Sequence, residues 1–246
     1  MKYSLTIGHL FCDLLNMFGD RGNTAALSER LKWRGHEAQV IRCEQDDEID
    51  FSDFDIIILG GGGEKDELAA LSELMKKKDE LKAYVEDGGV LLALCGGYQM
   101  LGKTYKCSSE ETEGLGILDI KQEFGERFIG NVIAETSITG ENIKIAGFEN
   151  HGGRIDIGNH TPFAHVLTGS GNNGEDKTEG VIYKNVIATY LHGPLLPKNP
   201  KLTDYILEKA IEKKYGEMPE LSQLPDTLEN EALSYAVKRF TETEAR

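Results

Sequence analysis

Residues 88–102 read GGVLLALCGGYQMLG, and this stretch decides the fold. Its five apolar residues, Val90–Leu94, run without alternation, which is typical of a parallel strand buried on both faces. Cys95 follows the strand at once, and Gly96 and Gly97 come next, which permits a sharp turn from strand to helix. The sequence therefore predicts a nucleophile elbow in which cysteine takes the place of serine.

The chemistry of Cys95 has two interpretations. At the carboxyl edge of a sheet and the amino end of the next helix, the helix dipole favours the thiolate, which is the nucleophilic form of cysteine. Alternatively, Cys95 is a small buried hydrophobic residue at the end of a strand, which is a common structural role. The pair of glycines that follows Cys95 favours the nucleophile.

The composition is that of a soluble globular protein. Of the 246 residues, 39% are hydrophobic and 28% are charged, and no apolar run reaches the roughly 18 residues that a transmembrane helix needs. The amino-terminal residues lack the apolar block of a signal peptide, so we expect a cytoplasmic protein. A net charge of −15 argues against nonspecific binding to nucleic acid. The four cysteines show no C-x-x-C spacing and are expected to stay reduced, and no metal site is predicted.

A second buried strand, Phe54–Leu59, is strongly β-branched and is followed by four glycines at 60–63. These glycines have three interpretations: a phosphate-binding loop, which would lack its Lys-Ser/Thr; a flexible loop; or backbone N–H donors for an oxyanion beside the nucleophile. A helix over 64–86 would join this strand to Val90–Leu94 by a right-handed crossover. Both strand ends would then lie at one edge of the sheet, where α/β proteins bind their ligands.

The rest of the pattern predicts a flavodoxin-like α/β fold with a mixed, mainly parallel sheet flanked by helices. Other β-rich runs occur at 3–9, 37–42, 128–136, 143–148 and 180–191. Helical runs follow at about 202–215 and 228–240. We expect one domain over residues 1–246, with carboxyl-terminal helices over about 200–242, and we expect the last helix to lie away from the core.

A thiol nucleophile needs a base or an ion-pair partner, and two of the six histidines are candidates. His192 ends a predicted strand and precedes Gly-Pro, and His151 lies in the polar cluster GFENHGGR at 147–154. A single histidine at the end of a strand is more often structural than catalytic. The combination with an elbow cysteine and a glycine-rich loop favours His192 as the base.

Three segments together resemble the class I glutamine amidotransferases, specifically the branch that contains the cobyric acid synthases. They are CGGYQ at 95–99, GFENHGG at 147–153 and YLHGP at 190–194, in that order. The agreement runs nearly end to end. It includes three segments that carry no general chemistry and are specific to a subfamily of glutaminase subunits, 20–23, 171–177 and 195–199.

The resemblance implies an activity and a site. Cys95 would attack the side-chain amide of L-glutamine, and His192 would protonate the departing ammonia and then activate water against the thioester. The N–H groups of Gly61–Gly62 and Gly96 would hold the oxyanion. Arg127 would bind the substrate carboxylate, a role suited to its planar and permanently charged guanidinium. Without the resemblance, the residues around Arg127 would favour a different interpretation, a solvated charge in a loop.

The resemblance also implies a partner. Ammonia would pass to a separate Mur-ligase-like subunit of the MurT type, in a heterodimer. That subunit would use ATP and Mg²⁺ to activate the D-glutamate α-carboxyl of the lipid II stem peptide during peptidoglycan synthesis. The sequence contains no P-loop, so no cofactor is expected on this chain, and the chain itself is not expected to insert into a membrane.

One departure from the family pattern concerns the third member of a catalytic triad. Most class I members carry Pro-x-Glu after the histidine, whereas this sequence has Gly193-Pro194-Leu195. Either a Cys-His dyad suffices or an acid comes from elsewhere, for which Asp20 and Glu149 are candidates. The missing acid also leaves open a non-catalytic scaffold or regulatory subunit. A third interpretation is a cysteine hydrolase of γ-glutamyl compounds.

Overall fold

A computed structural model describes residues 2–108 and 110–243. Its strands, in chain order, are β1 (Ser4–Leu10), β2 (Glu37–Cys43), β3 (Ile56–Leu59), β4 (Val90–Leu94), β5 (Thr104–Lys106), β6 (Glu111–Glu113), β7 (Lys121–Thr136), β8 (Ile143–Asp156), β9 (Ala164–Thr168), β10 (Thr178–Glu179), β11 (Val181–Tyr183) and β12 (Val186–Thr189). Its α-helices are α1 (Arg21–Trp33), α2 (Glu64–Lys76), α3 (Lys78–Glu86), α4 (Gly96–Met100), α5 (Pro200–Tyr215) and α6 (Thr227–Thr243).

A six-stranded sheet with the order β11-β12-β4-β3-β1-β2 forms the centre of the protein. All neighbouring strands in it are parallel except β11 and β12, which form an antiparallel hairpin. The strand predicted at 90–94 is therefore confirmed, and it lies between β3 and β12. Because these three strands run in the same direction, the residues that follow them meet at one edge of the sheet.

Both faces of the central sheet are covered. Alternate residues of β3 and β4 enter two separate hydrophobic clusters, one packed against α2 and α3 and the other against α1 and α5. This explains why both strands are continuous apolar runs, since a strand with two buried faces has no solvent side on which to place polar residues. The predicted mainly parallel sheet flanked by helices is confirmed.

A second sheet is antiparallel, with the order β10-β9-β7-β8. The sequence indicated short runs at 128–136 and 143–148, but β7 and β8 are long paired strands with a register irregularity between Phe124 and Phe128. Residues 123–127 of β7 are exposed, so the strand lacks the hydrophobic alternation by which sequence patterns are recognised. This pair of strands carries Arg127 and His151 towards the carboxyl edge of the central sheet.

One helical prediction needs correction. The helix expected over 64–86 is interrupted at Lys77 and forms α2 and α3. The last helix, α6, packs against β7, β8 and β9 of the second sheet, and none of its residues up to 241 is buried or belongs to either hydrophobic cluster, as expected for a helix that lies away from the core. Within the described residues, no helix has both the length and the apolar character that crossing a membrane requires.

Candidate active site

Cys95 occupies the turn between β4 and α4. Its backbone has a φ of 51°, in the left-handed region that side chains rarely adopt, and its N–H donates to the Thr189 carbonyl at 2.9 Å. Gly97 allows the turn to close, because a Cβ there would lie 2.3 Å from the Leu59 carbonyl oxygen. The predicted sharp elbow is present, and the strained cysteine at its apex is typical of a functional residue.

The surroundings of Cys95 favour the neutral thiol. The residue is buried, and its sulfur lies 4.0 Å from the Asn150 carbonyl oxygen. Burial raises the pKa of the thiol well above its usual range, and the carboxylates of Glu67 and Asp20 raise it further. The backbone N–H of Gly96, next to the sulfur, and the Arg127 guanidinium act in the opposite direction. The expectation that the helix dipole would favour a thiolate is therefore wrong for this conformation, because desolvation outweighs it.

A cavity of about 350 Å³ opens beside the thiol. The strands and loops around the elbow supply its walls, including Phe18, Glu67, Cys95, Gln99, Arg127 and His151. A larger cavity of about 510 Å³ lies between α6, the start of β8 and the start of α5, but no cysteine or histidine lines it. The smaller cavity combines a nucleophile with several polar groups, and it is the candidate active site.

His192 lies just beyond the end of β12, where its backbone pairs with Phe148 in both directions. Its ring is stacked on Phe18 and faces the edge of Phe148. Burial lowers the pKa of His192 to about 4, and the nearby His151 and Lys198 contribute to the shift while Glu149 opposes it. Within the described part of the chain, neither ring nitrogen has a hydrogen-bond partner, so the thiol does not donate to this imidazole here.

His151 lies in the cavity wall itself. Its ring stacks on Tyr190 with centroids 3.5 Å apart, and its Nδ1 lies 2.9 Å from the Gly153 carbonyl oxygen. Since a carbonyl oxygen only accepts, Nδ1 carries a proton. Nε2 lies 3.7 Å from Glu149, with which it forms an ion pair when protonated.

The two candidate acids do not contact His192 through hydrogen bonds. Asp20 is buried and accepts from the Gly61 N–H at 3.3 Å and from Asn23, and burial raises its pKa to about 7. Glu149 accepts from the backbone N–H groups of Ser170 and Gly171 at 2.9 and 3.0 Å. Burial alone would raise the pKa of Glu149, but His151 and these two hydrogen bonds lower it. Neither residue occupies the triad position beside His192.

The glycine loop at 60–63 lies against the elbow, as expected for an oxyanion site. A Cβ on Gly61 would lie 3.1 Å from the Cβ of Cys95 and 3.1 Å from the Gly96 nitrogen. The loop N–H groups nevertheless have internal acceptors: Gly61 donates to Asp20, and Gly62 donates to Oε1 of Glu67 at 3.0 Å. Both predicted donors of the loop are therefore engaged within the chain.

Arg127 lies on β7 at the mouth of the cavity. Its Nη1 donates to the backbone carbonyl and the side-chain oxygen of Asn150, at 3.1 and 3.0 Å. The guanidinium is exposed and makes no ion pair within 4 Å among the described residues. A cationic group placed in this way can bind the carboxylate of a small ligand in the cavity.

Sequence reasoning missed Glu67, Tyr105 and Phe18. Glu67 is an acidic residue in the first turn of a helix, a place where acids are common for their interaction with the helix dipole. Phe18 lies in a loop, with no pattern to mark it. Across the described residues, no group of three or more His, Cys, Asp or Glu side chains is arranged to hold a metal ion.

Comparison with known proteins gives a consistent result. The profile of the CobB/CobQ-like glutamine amidotransferase domain matches residues 6–200. A Staphylococcus aureus strain N315 protein named "Lipid II isoglutaminyl synthase (glutamine-hydrolyzing) subunit GatD" is 46% identical over 216 residues, which is 86% of either chain. A Streptococcus pneumoniae strain R6 protein of the same name is 36% identical over 233 residues, 93% of this chain and 89% of its own.

Solved structures agree at the level of the fold. A glutamine amidotransferase from Thermotoga maritima superposes with a TM-score of 0.52 over 98% of this chain and 99% of its own. Another glutamine amidotransferase gives a TM-score of 0.53 over 83% of this chain and 98% of its own. The sequence identities are 13% and 21%, so these two structures bear on the architecture alone.

Proposed function

Since the chain belongs to the CobB/CobQ-like glutamine amidotransferase family, we propose that it hydrolyses L-glutamine to glutamate and ammonia. We further propose that it does so as the glutaminase subunit of a lipid II isoglutaminyl synthase. The names of the two relatives support this assignment. The observation that carries the chemistry is Cys95 on its strained turn, in the wall of a cavity that also holds Arg127 and the glycine loop.

In the proposed reaction the thiol of Cys95 adds to the side-chain amide carbon of glutamine. The resulting tetrahedral oxyanion needs N–H donors, which the glycine loop and Gly96 would supply. Expulsion of ammonia leaves a thioester, and water then releases glutamate and restores the thiol. Because each half of the reaction moves one proton from a nucleophile to a leaving group, a single base that alternates as an acid is sufficient.

His192 is the proposed base. A pKa of about 4 keeps its ring neutral at physiological pH, as a proton acceptor must be. The same low pKa makes the ring a weak base. Because the thiol does not donate a hydrogen bond to the imidazole in this structure, the two groups must come together in the substrate complex before a proton can pass between them. Either a Cys-His dyad suffices for this chemistry or an acid from elsewhere completes the site.

We place the partner and its cofactors outside this chain. A Mur-ligase-like subunit of the MurT type would receive the ammonia in a cytoplasmic heterodimer, with ATP and Mg²⁺ bound to that subunit. The test is to purify the native complex and to measure glutamine hydrolysis by this chain with and without its partner. Replacing Cys95 by alanine should lower ammonia release by about a thousandfold or more while the protein stays folded. Cys107→Ser is the matched control, because Cys107 lines the same cavity but lies away from the elbow.

One observation favours a second candidate, a non-catalytic subunit that only binds a partner. Among the described residues, neither nitrogen of the His192 ring has a hydrogen-bond partner, and the Pro-x-Glu that would supply a triad acid is missing after the histidine. Alkylation of Cys95 by a chloroketone analogue of glutamine separates the two possibilities. Labelling that glutamine blocks supports the glutaminase, whereas labelling that glutamine does not affect supports the scaffold.

A further inference from the structure

Glu67 lies between the glycine loop and the elbow. It belongs to the first turn of α2 and is buried, with 6% of its surface exposed. Its Oε1 accepts from the Gly62 N–H at 3.0 Å, and its Oε2 accepts a short hydrogen bond from the Tyr105 hydroxyl. A Cβ on Gly96 would lie 2.0 Å from Oε1, so the carboxylate rests directly on the backbone beside Cys95.

The Arg127 guanidinium opposes the charge of this carboxylate only from a distance, and its effect on the pKa of Glu67 is smaller than that of burial. Among the described residues Glu67 forms no ion pair within 4 Å, and its hydrogen bonds come from one backbone amide and one phenol. Burial raises the pKa of Glu67, and the carboxylate in turn raises the pKa of the Cys95 thiol. A negative charge in this position opposes both a thiolate at Cys95 and an oxyanion beside it, because like charges repel strongly where water is excluded.

We propose that Glu67 is an internal occupant of the oxyanion site, so that the free chain rests in a closed state. Its carboxylate takes the Gly62 hydrogen bond that the amide oxygen of a bound substrate requires, and it must withdraw before Cys95 reacts. The identity of that substrate as glutamine rests on the proposed function. The closure itself rests on the contacts of Glu67 with Gly62, Gly96 and Tyr105.

The test is the rate at which iodoacetamide alkylates Cys95 in the full-length chain, followed by mass spectrometry of the peptide that contains it. Glu67→Ala opens the site and removes the charge, and we expect it to accelerate labelling by about tenfold or more at neutral pH, since one unit of thiol pKa changes the thiolate fraction about tenfold. Glu67→Gln removes only the charge and is expected to give a smaller acceleration.

Two further variants complete the experiment, the first as a control and the second as an independent test. Glu64→Ala removes a carboxylate that lines the same cavity but bonds to Ser108 and not to the glycine loop, so its rate should stay within about twofold of wild type. Tyr105→Phe removes the hydroxyl that holds Oε2 while keeping the ring, and labelling should accelerate by about threefold to tenfold.

An unchanged or slower rate in a folded Glu67→Ala chain would overturn the proposal, because Glu67 would then only support the loop. If that variant does not fold, Glu67→Gln and Tyr105→Phe decide: faster labelling supports the closed state, and wild-type rates in both contradict it. Iodoacetamide needs no glutamine turnover. A chain with no glutaminase activity but with accelerated labelling would therefore refute the proposed function and leave the closure intact.

Discussion

The ring of Phe18 stacks on the imidazole of His192, with centroids 4.2 Å apart and an angle of 28° between the ring planes. Phe148 contacts the same imidazole edge-on at 5.8 Å. Neither ring nitrogen of His192 has a hydrogen-bond partner among the described residues. Aromatic packing therefore replaces the carboxylate that orients the histidine in a triad. The position of the proposed base therefore depends on two phenylalanines.

Replacing Phe18 by leucine should lower kcat for glutamine hydrolysis by about tenfold, because the imidazole loses the surface that orients it. Burial lowers the pKa of His192 to about 4, so partial exposure to water should raise that pKa towards 6.5. The acid limb of the pH dependence of kcat should then move to higher pH. Phe18→Tyr keeps the stacked ring and is the control. A loss of rate with no movement of the acid limb would indicate a structural role only.

Arg127 should contribute to binding rather than to the chemical step. Replacing it by methionine removes a charged hydrogen-bond donor from the mouth of the cavity, and KM for glutamine should rise by about tenfold to a hundredfold while kcat changes by less than about threefold. The control is Arg42→Met, an exposed arginine outside the cavity wall.

Glutamine analogues refine this prediction. If the Arg127 guanidinium binds the α-carboxylate, an analogue with a blocked α-carboxyl should be a poor substrate of the wild-type chain, and Arg127→Met should hydrolyse it no worse. Efficient hydrolysis of the blocked analogue by the wild type would instead favour a hydrolase of γ-glutamyl compounds.

The two central strands, β3 and β4, could be predicted because they are continuous apolar runs followed directly by glycine or cysteine. Val90–Leu94 matches β4 residue for residue, and the hairpin at 180–191 contains β11 and β12. The length of β7 could not be predicted, since its exposed residues carry no alternation and its pairing with β8 is a tertiary contact. Strand order also depends on contacts that are distant in sequence.

The candidate site could be predicted only in part, for a related reason. Cys95 and the glycine loop are local motifs, and the fold brings them together. Arg127 depended on the resemblance, since nothing in its neighbours distinguishes it from a solvated charge. Glu67 could not be identified, because its contacts with Gly62 and Tyr105 exist only after a helix, a loop and a short strand have packed together.

The buried acid Glu179 should make the stability of the protein depend on pH. Its Oε1 accepts from the Thr189 hydroxyl and the Tyr190 N–H, whereas its Oε2 has no partner among the described residues. Burial raises its pKa from 4.5 to about 7. The folded state therefore keeps a proton that the unfolded chain has lost. This contribution to stability is fully present below about pH 4.5 and is lost as the pH rises through about 7.

Urea denaturation of wild type and Glu179→Gln at several pH values tests this prediction. Between about pH 5 and 6.5, the free energy of unfolding of the wild type should fall relative to the variant by about 1.4 kcal/mol per pH unit. Asp20 and the other buried groups titrate in both proteins and cancel in the difference. The exposed Glu175→Gln should show no such slope, and equal slopes for wild type and Glu179→Gln would contradict the assignment.

Gly97 should be the glycine whose replacement damages the elbow most directly through packing. A Cβ at this position would lie 2.3 Å from the Leu59 carbonyl oxygen and 2.9 Å from the Gly60 carbonyl oxygen, and both are backbone atoms that no side-chain rotation can move. Gly97→Ala should therefore destabilise the fold by about 3 kcal/mol, which lowers Tm by about 6–12 °C. Gly130→Ala is the control, since the nearest atom to its Cβ would be Oε1 of Glu149 at an ordinary 3.9 Å. Equal melting temperatures for the two variants would mean that α4 can move away from the end of β3, and the turn that strains Cys95 would then not be fixed by the close approach of these two backbones.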